Sequence, residues 1–204
     1  MMLFSKKFLG ILSVLLLVLV VILFLESDVV KTRYKNNINS LMNKNNQETT
    51  QWKSREQIEK YILVTWPVYQ HYVSYICDSV EASAAKYNLD RSVVLAIIQT
   101  ESGFQYNAVS CKNCVGLMQI NTAVWKDELQ KNHIIDTPKD LYDPANNIEA
   151  GCFILNRYLK KSKGNLESAL FLYFGMCSKE YSGKVLTNFA HYKLIDLSVE
   201  RKGG

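Results

Sequence analysis

The chain offers little on which to build a metal or nucleic-acid site. Its three histidines, His71, His133 and His191, are scattered, and the close pair Cys111-x-x-Cys114 has no second pair to complete a tetrahedral set. That leaves no structural zinc site. A net charge of +5 is mild, and no Lys/Arg cluster is interleaved with aromatics, so nucleic acid is not an expected partner; the positive balance suits an anionic envelope or membrane surface. Also missing are an Ala-x-Ala cleavage pattern, a cysteine where a lipoprotein would be acylated, and any internal repeat. These absences weigh against a cleaved signal peptide and a lipid anchor.

What the N-terminus does have is an apolar run over residues 8–25, broken only by Gly10 and Ser13 and preceded by Lys6 and Lys7. Its eighteen positions would span about 27 Å as a helix, close to the hydrocarbon thickness of a bilayer. Residues 1–28 are therefore expected to be an uncleaved single-pass anchor. Lys6 and Lys7 favour an inside N-terminus, whereas Lys31, Arg33 and Lys35 on the far flank weaken the asymmetry, so charge alone leaves the topology open. Residues 29–66 turn polar, with Asn36-Asn37, Asn45-Asn46-Gln47 and Thr49-Thr50-Gln51. They read as a stalk with some helix around Arg55 to Leu63, and a loose chain of that length would reach about 35 Å.

A mainly helical domain is expected over residues 67–204. Pro67 suits a first-turn position, and Tyr72, Ile76, Val80, Ala84 and Tyr87 recur on one face. After Asn88-Leu89, Asp90 is a good N-cap for a helix that is apolar on most sides through Val93, Val94, Ala96, Ile97 and Ile98. Gly103 is placed to stop it. The stretch from Phe104 to Asn121 suits loop and short extended pieces lining a groove. Thr122 then caps a helix through Trp125 and Leu129, and Asp143-Pro144 opens another with Ile148, Cys152, Leu155 and Leu159 inward. Asn165 caps the next, with Ala169, Leu170 and Tyr173 inward, before a last amphipathic stretch carrying Val185, Leu186, Phe189 and Tyr192.

The five cysteines, Cys77, Cys111, Cys114, Cys152 and Cys177, all follow the anchor. Such usage suits an oxidising compartment, and the odd count forbids complete pairing within one chain. Cys111 and Cys114 could form a local disulfide or pack as thiols; both readings stay open.

Glu101 carries the chemistry. It stands at the C-terminal end of a strongly apolar helix, where the negative end of the dipole and nearby apolar surface both disfavour ionisation and raise its pKa. An acid kept protonated near neutral pH is what glycosidic cleavage requires. Asp127, Glu128, Asp136, Asp140 and Glu149 are available as a second carboxylate, and surface solvation is their default reading. The bland alternative for Glu101 is a solvated helix end or a salt bridge to Lys112.

In order and spacing, Glu101-Ser102-x-Phe104, Ala108-x-Ser110, Gly116-Leu117-Met118-Gln119-Ile120 and Thr122-Ala123 resemble the soluble lytic transglycosylase (SLT) domain, a relative of goose-type lysozymes. Leu141-Tyr142-Asp143-Pro144, Asn147-Ile148 and Ala150-Gly151 look like its second block, and Ala169-Leu170-x-x-Tyr173 with Gly175 like its third. The resemblance implies a lysozyme-like fold, no cofactor, and cleavage of the β-1,4 bond between N-acetylmuramic acid and N-acetylglucosamine in peptidoglycan. Glu101 would protonate the leaving oxygen and then accept the proton of the muramic acid 6-hydroxyl, closing a 1,6-anhydro ring. Ser110, Gln119, Asn121 and Tyr173 would line the cleft and bind substrate, with Tyr173 also placed to hold the carboxyl of Glu101. Met118 and Phe104 read as packing. Because the wall lies outside the membrane, the resemblance also implies that the N-terminus is inside and the domain on the periplasmic or extracellular side.

Some positions depart from the family pattern. Many members have Met-Pro where this chain has Asn121 followed by Thr122, and the Tyr-Asn-Ala-Gly block reads Tyr173-Phe174-Gly175. Cys111-x-x-Cys114 is unusual in the loop before Gly116, which it would brace if oxidised. Two other readings are therefore carried: a lysozyme-type hydrolase, and a weakly active wall-binding module of an envelope-spanning secretion or conjugation machine.

Overall fold

A computed structural model of the chain describes residues 28–175 and 179–202, together with Leu16. Leu16 apart, the expected membrane-spanning segment lies outside the described residues, as does Cys177. Among the described residues no helix is long and apolar enough to cross a membrane. The chain forms two compact units, Met1–Thr50 and Gln51–Gly204.

Helix α1 spans Asp28–Thr65. The polar run expected to be a loose stalk is thus helical, since neither glycine nor proline interrupts it. The second unit also begins earlier than the expected boundary at residue 67. Ile58 and Ile62, four residues apart, are 2% and 0% exposed, and burying each contributes about 1.5–3 kcal/mol. Arg55 pairs with Glu59, Asp78 and Glu81, while Arg91 pairs with Glu81 and Asp196. Such partly buried charges orient helices more than they stabilise them, because desolvation offsets their attraction.

Helix α2, Gln70–Tyr87, starts three residues beyond Pro67, not at it. The connection is held by Val68 N–H donating to the Trp66 carbonyl at 2.8 Å and by Trp66 packing on Tyr61 and Phe104 at 5.5 and 5.1 Å. The buried face of α2 is Val73, Ile76, Cys77, Val80 and Ala84; Tyr72 and Tyr87 sit at its margins. Helix α3, Arg91–Ser102, is capped by Asp90, whose side chain accepts from Ser92 N–H, and ends at Gly103 with φ +56°. Residues Val93 to Ile98 are all buried, as the sequence pattern predicts.

Two short strands follow, β1 at Cys114–Val115 and β2 at Ile120–Asn121, paired antiparallel with Cys114 opposite Asn121. Val109 bridges to Val115, so the loop folds as a small hairpin. Helix α4, Thr122–Lys131, is capped one residue earlier than expected, by Asn121 rather than Thr122. Asn121 is still extended as the last residue of β2, and its carboxamide accepts from Val124 N–H at 3.2 Å, the geometry of a strong N-cap. A 3-10 turn, Pro138–Tyr142, leads into α5, Pro144–Lys161, with the expected Asp143-Pro144 start. Helix α6 is Leu166–Tyr173, capped by Asn165, and α7 is Lys179–Lys202. The core joins α3 to α7, α2 to α5 and α5 to α6, leaving the hairpin and the end of α6 to flank the C-terminal end of α3.

Candidate active site

Glu101 sits in the last turn of α3, where a run of buried apolar residues has carried the chain into the core and Gly103 turns it out again. Its carboxyl accepts a 2.6 Å hydrogen bond from the Tyr181 hydroxyl. Burial pushes Glu101 up to about 7, and the Tyr181 bond pulls against that rise. Burial, and then the negative charge of Glu101, raise the Tyr181 phenol well above its ordinary range, so the phenol stays a donor. Near neutral pH the carboxyl is shared between its two protonation states, as a group that must give and then take a proton requires. No lysine pairs with Glu101 among the described residues; Lys112 stands elsewhere in the groove wall.

The groove in front of this carboxyl holds about 500 Å³ and is lined by Glu101, Ser110, Gln119, Asn121, Trp125 and Tyr173, among others. All five residues expected at the site therefore meet in one cleft. One wall is the hairpin. Ser110 N–H donates to the Cys114 carbonyl at 3.0 Å, and Cys114 N–H donates back to the Ser110 hydroxyl oxygen at 3.1 Å. Gln119, at φ +49°, turns its amide nitrogen onto the carbonyls of Ala108 and Gly116 at 3.2 and 3.0 Å. Behind them stands Asn147 of α5, 1% exposed. It accepts from Met118 N–H at 2.8 Å and donates to the carbonyls of Val115 and Leu141 at 2.9 and 2.8 Å.

Gly116, at φ +78°, lies so close that an added Cβ would stand 2.1 Å from the Asn147 amide nitrogen; only glycine fits. Met118 and Phe104 are 0% and 1% exposed, so both pack rather than contact substrate.

The other wall comes from the end of α6 and the Phe174-Gly175 pair that follows it, with Tyr181 of α7 behind Phe174. Tyr173 lines the groove, yet its hydroxyl donates to the Met118 carbonyl at 2.9 Å and not to Glu101. Holding the acid, assigned to Tyr173 from sequence, falls to Tyr181. The expected face of α7 already contained the signal: Tyr181 is one helical turn before Val185, and both are buried. Phe174 stacks on Tyr181 with ring centroids 4.2 Å apart and planes within 7°. Across the groove Trp125 meets Tyr158 edge to face at 5.8 Å, with Arg157 over the indole.

Among the described residues that line the groove, Glu101 is the one carboxyl group. Glu128 pairs with Arg157, Glu149 with Lys86, and Asp140 caps Thr137. Cys77, Cys111, Cys114 and Cys152 are free thiols; Cys111 and Cys114 reach the groove, whereas Cys77 and Cys152 are buried in the core. No group of three or more His, Cys, Asp or Glu side chains among the described residues could hold a metal ion.

Residues 78–175 match the family model of the transglycosylase SLT domain, the family that the motifs of this chain resemble. Ninety-three residues are 38% identical to membrane-bound lytic murein transglycosylase C of Yersinia enterocolitica, covering 44% of this chain and 26% of that protein. The Yersinia pestis protein of the same name matches with the same identity and coverage. The matched segment thus spans about a quarter of the length of these relatives. The fold resembles the X-ray structure of an inactive mutant of the lytic transglycosylase Slt from Pseudomonas aeruginosa, with a TM-score of 0.51 at 21% identity over 56% of this chain and 23% of that one. The mainly helical, lysozyme-like class expected from sequence is the class observed.

Proposed function

We propose that this chain is a peptidoglycan lytic transglycosylase, cleaving the β-1,4 bond between N-acetylmuramic acid and N-acetylglucosamine and leaving 1,6-anhydro ends. The observation that carries this reading is a single desolvated carboxyl, poised near 7, in a groove whose described lining holds no second one. Glycosidases that employ water or a covalent intermediate use two carboxyl groups at set separations. One suffices when the nucleophile belongs to the substrate, because an internal hydroxyl held near the reacting carbon has a very high effective concentration.

Glu101 gives its proton to the leaving oxygen. As carboxylate, steadied by the Tyr181 hydroxyl, it then takes the proton of the muramic acid 6-hydroxyl as that oxygen bonds to the anomeric carbon. Ser110 has its hydroxyl proton to offer a sugar oxygen, since its oxygen already accepts from the backbone. Gln119, with its amide nitrogen committed to the loop, retains a carbonyl acceptor. Asn121 and the ring of Tyr173 complete the sugar-binding surface.

Residues 1–28 anchor the chain in the cell membrane with the domain on the wall side, periplasmic or extracellular. The name of the Yersinia relatives, membrane-bound murein transglycosylases, supports this placement. Digestion of purified sacculi by the full chain and by Glu101→Gln tests the proposal. Wild type is expected to release fragments with anhydro-muramic ends and Glu101→Gln none. Reducing ends would make the enzyme a hydrolase. Release undiminished by the substitution would refute a role for Glu101, and a cellular role that survives a dead Glu101→Gln would favour a wall-binding module of an envelope-spanning machine.

A further inference from the structure

Phe174 follows the last residue of α6, and its backbone N–H closes that helix by donating to the Leu170 carbonyl at 3.1 Å. That local role is open to many residues. The phenyl ring has a second partner: it lies 4.2 Å from the ring of Tyr181 with the planes within 7°, and Tyr181 donates to Glu101 at 2.6 Å. Phe174 is 40% exposed and Tyr181 only 5%, so the phenyl stands between groove water and the phenol. It also occupies the segment in which this chain departs from the Tyr-Asn-Ala-Gly pattern of its family.

We propose that Phe174 is a positioning residue of this site: stacked on Tyr181, it keeps the phenol aligned on Glu101 and keeps groove water away from the hydrogen bond between them. An offset aromatic stack of this kind supplies both area and orientation. The residue acts on the acid through Tyr181.

Tyr181 of α7 bonds Glu101 directly, and the titratable and charged groups that line the groove with it are Tyr173 of α6, Tyr158 of α5, and Cys111, Lys112 and Cys114 of the hairpin. Two influences on the acid oppose each other. Desolvation raises its pKa and is the larger, while the Tyr181 donation lowers it. Removing the phenyl admits water and weakens the dominant influence, so the proton is held less tightly. Removing only the phenol hydroxyl leaves the cover in place and deletes the opposing pull, so the proton is held more tightly. The two substitutions shift the acid in opposite directions, a result that general loosening of the fold does not produce.

The test is an NMR titration of the Glu101 carboxyl in the full chain with isotope-labelled glutamate, the resonance assigned by its loss in Glu101→Gln. Phe174→Ala is expected to lower the midpoint by about one unit, a tenfold change in the protonated fraction above it. Phe174→Asn is expected to shift it the same way, Tyr181→Phe the opposite way, and Phe174→Trp to leave it in place. An unchanged or raised midpoint in Phe174→Ala overturns the inference; should that variant not fold, Phe174→Asn at this half-exposed position decides in its stead. The inference builds on the proposed function, but the titration reads the proton without requiring catalysis. If the midpoints move as expected while the alkaline limb of kcat/KM on sacculi does not follow, the assignment of Glu101 as the acid fails and the positioning role of Phe174 stands.

Discussion

The two walls of the groove are built on opposite physical plans. The hairpin wall is fixed from behind by Asn147, whose three hydrogen bonds are buried among close-packed backbone, with Gly116 pressed against the amide. The wall at the end of α6 is held by the stacking of Phe174 on Tyr181 of α7, and its outer face meets the groove. A buried polar network with every partner present specifies one geometry and tolerates no loss of a member. A stack of rings yields more gradually. In this molecule the rigid wall presents polar groups to the groove, while the aromatic wall sets the environment of the acid.

Removing the group that both walls serve should have the largest effect. Glu101→Gln is expected to lower kcat on sacculi by about 10²–10⁴-fold, the range for a positioned acid or base, with the fold unchanged by circular dichroism. Breaking the rigid wall comes next. Asn147→Ala leaves two carbonyls and one N–H buried without partners, and is expected to cost about 3–5 kcal/mol in denaturant unfolding. Gly116→Ala should rank beside it, because both its φ and the Asn147 contact oppose a side chain.

A subtler effect comes from the acid itself. The pKa of Glu101 in the folded chain, about 7, lies above the ordinary 4.5, so its contribution to stability is complete below about 4.5 and is lost as pH rises through about 7. Glu101→Gln should therefore match wild type at pH 4 and exceed it by up to about 3 kcal/mol at pH 8. A constant difference across that range would show that the carboxyl is not desolvated. Tyr173→Phe should cost only about 1 kcal/mol, for the one hydrogen bond to the Met118 carbonyl, and should leave the Glu101 midpoint almost unmoved. If it instead moved the midpoint as far as Tyr181→Phe, the division between the two tyrosines would be wrong.

Local chemistry was legible in the sequence wherever a single residue decides the backbone. Asp90, Gly103, Asp143-Pro144 and Asn165 each cap where expected, and the apolar run before Glu101 announced its desolvation. Features set by distant packing were less legible. Ile58 and the Tyr61-Ile62-Leu63-Val64 run close a stretch that starts polar, and only the burial of Ile58 and Ile62 in the core shows that they belong to the domain. Tyr181 lies eighty positions from its partner, and periodicity places it on the inner face of α7 without saying what it meets there. Asn147 was visible as part of a motif, but a motif does not reveal that one carboxamide holds three backbone segments. The start of α2 was misplaced because Pro67 is as compatible with a tight connection as with a first turn.

The most direct test of the central claim follows the fate of solvent oxygen. Sacculi digested by the wild-type chain in water enriched in the heavy oxygen isotope should yield muramic ends without label, since the ring closes through the sugar's own hydroxyl before water can reach the anomeric carbon. Label at that carbon would contradict the account, placing water where the 6-hydroxyl is proposed to act.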